Sequence, residues 1–283
     1  MNLPLHLYYQ ASRPLRWWNG RRAAAEQRSP VAVLCFHRIA DDRANSWTIS
    51  NRTFVRQISW LREHFDLISL EEAQWRIRTA NRRPAVSITF DDGYADNCRH
   101  AMPLLIEQRI PCTYFVVARN VLEGVPFPHD LAQGSILATN SLEQLKDMAA
   151  AGIEIGSHGK THADLGSIAD RDEIRFELHS SLVDLQTALG RAVRYFAFPF
   201  GHRENLNVAA FSVAAEAGYE AVCSAYGGFN FPGDDAFHLQ RIAVGDDLIH
   251  LKNWTTVDPR KLNTPRFTYN LEEAAPCSAI AIS

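Results

Sequence analysis

The chain has 283 residues, 46% hydrophobic and 22% charged, which is enough to bury one large core and too apolar for a disordered or low-complexity protein. Its 29 basic and 32 acidic side chains leave a formal charge of −3, so nucleic acid phosphates meet no overall attraction and nucleic acid is not an expected partner. Five cysteines, widely spaced and without a C-x-x-C pair, point neither to a disulfide framework nor to a cysteine-built zinc site.

Residues 1–30 carry Arg13, Arg16, Arg21, Arg22 and Arg28 against Glu26 alone, together with Tyr8, Tyr9, Trp17 and Trp18. A basic aromatic leader of this kind can pack on the domain, stay mobile, or rest on an anionic membrane surface. No basic region stands ahead of a signal-type apolar run. The longest uncharged stretch, residues 221–233, holds three glycines and a proline and is too short to span a bilayer. The expectation is a cytoplasmic protein, with peripheral contact at the inner face of a membrane as an option for the leader.

From Val31 onward, short apolar runs alternate with amphipathic stretches, the pattern of strand-helix-strand units in a mostly parallel sheet. Residues 31–36, 85–90, 112–117, 153–155, 195–198, 219–223 and 239–244 are the candidate strands, rich in β-branched and aromatic side chains. Phe54, Ile58, Leu61 and Phe65 recur at helical spacing, as do Ile174, Leu178, Leu182, Leu185 and Leu189. Ser69 with Glu72 and Ser141 with Gln144 match the capping-box spacing, and Gly152, Gly190 and Gly218 stand where helix C-caps belong. Residues 31–258 therefore read as a single domain, between a leader (1–30) and a C-terminal extension (259–283).

In a parallel α/β architecture, active-site groups gather at the carboxyl ends of the strands. His37 and Arg38 follow the first run, Asp91-Asp92-Gly93 the second, His158 through His162 the fourth and Pro199 through His202 the fifth, while Arg241 lies within the seventh. His158 and His162, four residues apart, turn both imidazoles to one side. Asp92 from another strand end can complete a two-histidine, one-carboxylate site with open positions, a set that suits Zn²⁺, Co²⁺, Ni²⁺ or Fe²⁺. Two adjacent carboxylates repel and call for a nearby cation or a shared proton. With a metal on Asp92, Asp91 is free to act as general base; the alternative is that Asp91 only caps the following helix.

Thr89-Phe-Asp-Asp92, His158-x-x-x-His162 and Pro199-Phe-Gly201, in that order, resemble the polysaccharide deacetylases of carbohydrate esterase family four, which share a nodulation-protein-type domain. Cys35-Phe-His-Arg-Ile39 is similar to the opening of the family's Y-H-R-I branch, and the resemblance covers about residues 31–245. It implies a distorted (β/α)7 barrel and metal-dependent removal of N-acetyl groups from amino sugars of a polysaccharide, an oligosaccharide or a lipid-linked glycan precursor. Asp91 matches the catalytic base. Asp92, His158 and His162 match the ligands of one divalent metal, zinc first among the four candidates, and the Phe200 backbone N–H matches the oxyanion donor.

Gly159 stands where the family commonly has Ser or Thr, and Ala197 where it has the Arg that orients the base. That cation must come from Arg241 or Arg38. For the general acid, His37 is preferred over His238 and His250, because it directly follows a strand. The segments 127–130 and 225–230 are candidate substrate walls. Two other functions stay open: a metal-dependent amidase acting on a cyclic amide, and a silent carbohydrate-binding barrel.

Overall fold

A computed structural model describes residues 3–258, 262 and 264–271. Six of the expected runs are strands: β1 (Val31–Phe36), β2 (Ala85–Phe90), β3 (Cys112–Val116), β4 (Glu154–Ser157), β5 (Tyr195–Ala197) and β6 (Ala221–Cys223). The seventh run is not continuous. It is divided into β7 (His238–Leu239) and β8 (Arg241–Ala243), separated by Gln240 alone. All pairs are parallel, in the spatial order β7-β6-β5-β4-β3-β2-β1-β8. Because the two ends of this path are adjacent in the chain, the sheet curls into a nearly closed barrel, and the split strand counted once gives the expected seven.

Strand residues are buried on both faces, as a parallel sheet covered by helices requires. Val31, Val33, Ala85, Phe115, Tyr195, Ala197, Ala221, Cys223 and Leu239 form one cluster, and these alternate positions from six strands meet inside the barrel. Helix Leu70–Arg78 closes the floor, with Leu70, Ala73 and Ile77 in the same cluster. The intervening residues, among them Leu34, Phe36, Ile88, Phe90, Val116 and Phe196, join the larger core under the surrounding helices. The same period of two carries Asp91, His158 and Arg241 to the inner side at or near the upper rim.

Helix Asn51–His64 buries Phe54, Ile58 and Leu61. The stripe from Ile174 to Leu185 is buried as expected, although its helix is interrupted by a π-helical turn at Phe176–Ser180. Ser141 and Gln144 form a complete capping box; at Ser69 the side chain accepts from the Glu72 N–H. The leader is a helix, Leu3–Ala25, packed against the C-terminal helix Leu248–Thr255. Most of the expected C-terminal extension, residues 259–261, 263 and 272–283, lies outside the described residues.

Candidate active site

The carboxyl ends of β2, β4 and β5 bring the predicted residues together. Asp92 follows β2 with a φ of 73°, which turns its carboxylate away from that of Asp91. Its Oδ1 lies 3.6 Å from His158 Nε2 and 3.4 Å from His162 Nε2. One ligand atom from each of the three residues falls within 4.8 Å of the others. His162 and Phe200 share the left-handed backbone, at φ 65° and 62°. Three of the six described non-glycine residues with positive φ are thus at this site, where strained backbone is held in place by its surroundings.

His158 continues β4 and is buried; its Nδ1 meets the Ala197 carbonyl at 2.8 Å. The carbonyl can only accept, so Nδ1 carries the proton and the Nε2 lone pair faces Asp92. Burial pulls His158 down to about 4, which leaves it neutral and able to ligate near pH 7. For Asp92, burial opposes ionisation. The His162 hydrogen bond and the charges of His37, His162 and His158 outweigh it and hold the carboxyl below the usual carboxylate range. This donor set, one ionised carboxylate and two histidines, fits a divalent transition metal ion held by Asp92, His158 and His162.

Asp91 is gripped from inside the barrel. Arg241 Nη1 donates to its Oδ1 at 2.6 Å and Nη2 to its Oδ2 at 2.7 Å, while Cys35 Sγ donates to Oδ2 at 3.2 Å. Arg241 is itself fully buried, tied by Nε to the Ser224 carbonyl and by Nη1 to Thr89 Oγ1. Burial raises the Asp91 carboxyl, but the Arg241 charge, followed by those of His158 and His37, leaves it below the ordinary value. The cation that the Ala197 position lacks is therefore supplied by Arg241. Arg38 does not supply it: that guanidinium turns to Asp96 at 2.6 Å and to the Asp42 and Arg43 carbonyls.

His37 is half-buried, and its ring falls with Cys35 Sγ and an Asp91 oxygen inside another 4.8 Å group. His238 is buried elsewhere, against Phe211 and Ser224 Oγ, and burial pulls it down to about 3. His250 is half-exposed on helix Leu248–Thr255 beside Trp254. Segment 127–130 runs into a short helix, Pro128–Ala132, and does line the site: Phe127 and His129 approach the His162 ring at 5.5 and 6.1 Å. In segment 225–230, Tyr226 is half-buried beneath the Arg203 guanidinium, and its hydroxyl accepts from the Phe267 N–H. The Gly227 N–H donates to the Arg241 carbonyl, Phe229 is buried, and Asn230 pairs with Val31 at the opposite end of the barrel.

Glu177 was not singled out from the sequence. The π-helical turn brings its buried carboxylate to the loop between the two histidines, where it accepts from the Lys160 and Thr161 N–H groups at 3.0 Å and from Thr161 Oγ1. A Cβ at Gly159, where φ is +85°, would come within 3.1 Å of the same carboxylate. Glu177, together with Ser157 Oγ on the Gly159 N–H, thus braces the loop that lacks the hydroxyl at position 159. Only Cys35 left a usable signal, standing two residues before His37 on one face of β1.

The polysaccharide deacetylase family model matches residues 78–222, which span β2 through β6 and contain Asp91, Asp92, His158, His162 and Phe200. YxkH of Bacillus subtilis (strain 168), whose name places it among polysaccharide deacetylases, is 24% identical over 223 residues, 77% of this chain and 73% of that protein. A chitooligosaccharide deacetylase of Sinorhizobium fredii (strain NBRC 101917 / NGR234) is 26% identical over 125 residues, 44% of this chain and 50% of its own. The solved structure of IcaB from Ammonifex degensii superposes with a TM-score of 0.67 at 25% identity, covering 80% of this chain and 97% of that one. With half of its length inside the family model and the barrel shared along nearly all of a solved relative, the chain belongs to the polysaccharide deacetylase family.

Proposed function

We propose that the protein is a metal-dependent hydrolase that removes acetyl from N-acetylated amino sugars of a polysaccharide, an oligosaccharide or a lipid-linked glycan precursor. The observation that carries this reading is the division of labour between two adjacent carboxylates: Asp92 faces two histidines, whereas Asp91 is locked onto Arg241. A divalent ion held by Asp92, His158 and His162 would supply polarisation of the acetyl carbonyl and acidification of water, with zinc the first choice.

The chain's own residues account for the proton movements. Asp91, kept ionised and aimed by Arg241, takes the proton from the attacking water. The Phe200 N–H, at the turn set by Pro199 and Gly201, donates to the oxyanion that forms as the acetyl carbon becomes tetrahedral. It makes no other hydrogen bond among the described residues. His37, close to Asp91, passes a proton to the departing sugar amine, so that acetate and free amine are released. The partly exposed His129 ring and the exposed Phe200 ring, both beside His162, offer faces for a sugar. A cytoplasmic location at the inner face of a membrane would favour the lipid-linked precursor.

The test is metal content and acetate release, measured together on N-acetylated chito-oligosaccharides and on cyclic imides. About one metal per chain with acetate from the sugars supports the proposal. Turnover of imides alone would assign the site to cyclic amides, and metal-free protein that binds chito-oligosaccharides without turnover would make it a binding barrel.

A further inference from the structure

Helix Leu3–Ala25 contains four arginines and no acidic residue. One of its faces is committed to the barrel. Arg16, 5% exposed, donates to the Asn253 carbonyl, Asn253 Oδ1, Thr256 Oγ1 and Asp258 Oδ2, and the Tyr8 hydroxyl reaches Asp258 Oδ1. On the opposite face Leu3, Leu7, Ala11, Pro14 and Trp18 follow one another at steps of four or three, the repeat of a single helical stripe, and all are exposed. Leu3, Leu7, Leu15, Trp17 and Trp18 lie between 48% and 63% exposed. The usual polarity of a surface helix is reversed: a guanidinium points inward and an apolar stripe points outward. Beside the stripe, Arg13 is exposed, Arg21 sits over the Trp17 ring at 4.9 Å, and Arg22 sits over Trp18 at 5.7 Å while its Nε pairs with the exposed Glu26 at 2.8 Å.

We propose that this face docks on an anionic lipid bilayer. The helix lies in the plane of the interface, its leucines and indoles enter the headgroup region, and Arg13, Arg21 and Arg22 meet lipid phosphates. Charge selects this occupant, because a second copy of the chain on the same stripe would set the arginines of the two helices against each other. Indole rings covered by guanidinium groups are amphipathic in the way the membrane–water boundary favours. Among the described residues no helix is long and apolar enough to cross a membrane, so the contact is peripheral. His6 shares a cavity with Thr53 and Asp246, which lie at the rim end of the barrel. The start of the stripe and the mouth of the site are thus at the same end. The inference does not depend on the deacetylase reading.

Full-length protein sedimented with phosphatidylcholine vesicles, with and without phosphatidylglycerol, tests it. The protein should pellet with the anionic vesicles only, and less so as salt rises. Leu7→Ser/Trp18→Ser and Arg13→Ser/Arg21→Ser/Arg22→Ser should each reduce partition by about tenfold or more. Neither variant should greatly lower Tm, since these side chains are exposed and the ion pair lost with Arg22 is to the exposed Glu26. A parent that stays in the supernatant, or variants that bind as the parent does, would overturn the proposal. So would self-association without vesicles that Leu7→Ser/Trp18→Ser abolishes, which gives the stripe to a second copy. Shielding of Trp17 and Trp18 from acrylamide that is lost on removing residues 272–283 would give it to the chain's own C-terminus.

Discussion

Arg241 and Arg38 are both fully buried and both held against an aspartate at 2.6 Å, yet they belong to different parts of the barrel's work. Arg38 spreads its donors over Asp96, Asp42, Thr48 and two carbonyls of the loop that follows it, so its charge ties down the segment between residues 38 and 48. Arg241 presents its planar fork to a single carboxylate, whose chain neighbour faces two histidines. A buried ion pair by itself says little about function; what lies beyond the carboxylate separates a brace from the pair proposed to hold a base.

The largest effect should come from the ligand side of that carboxylate pair. Asp92→Ala or His158→Ala should remove bound metal, read by elemental analysis, and lower acetate release by about 10⁴-fold or more. Asp91→Asn should keep the metal and lower turnover by about 10²–10⁴-fold, the usual worth of a positioned base. Near-normal turnover in Asp91→Asn would remove it from the base role. The two arginines can be set directly against each other. Arg241→Lys, unable to fork, should cut kcat by about ten- to a hundredfold with metal content unchanged. Arg38→Met should instead cost about 3–5 kcal/mol of stability in denaturant unfolding and leave the kcat of the folded fraction intact. A kcat loss in Arg38→Met equal to that in Arg241→Lys would erase the distinction. Smaller still, Glu177→Gln should weaken metal affinity by about tenfold, read by competition with a chelator.

Acidity probes the same contrast. In the metal-free protein, His158 is held neutral down to about 4, below the ordinary histidine value of 6.5. The unfolded chain binds that proton first, so stability is complete above about pH 6.5 and falls as pH drops toward 4. Asp91 and Asp92, depressed below the carboxylate value, add stability that is lost only at lower pH. A metal-free Tm that stays level between pH 7 and 4 would contradict the buried, neutral His158.

Much of the site could be read before folding because the chemistry sits at strand ends, and a strand end is a local pattern. Asp91 and His158 directly follow strands β2 and β4, with Asp92 one residue further on, and the period of two along β2 and β4 carries Asp91 and His158 to the inner face. The choice between Arg241 and Arg38 could not be read this way. Arg241 and Asp91 are 150 residues apart, and only closure of β8 onto β1 brings them into contact. The same holds for Glu177, whose reach depends on one π-helical turn, and for segment 225–230, whose aromatic residues look suited to a substrate wall but are used at the barrel's own seams.

The sequence by itself determined the strand count, the parallel class and the strand-end positions of the acids and imidazoles, because apolar runs and caps act over a few residues. Tertiary structure decided which arginine meets Asp91, which carbonyl turns His158, and which face of the leader helix is left to solvent. Those outcomes rest on contacts between segments far apart in the chain, and no local pattern encodes the distance at which they meet.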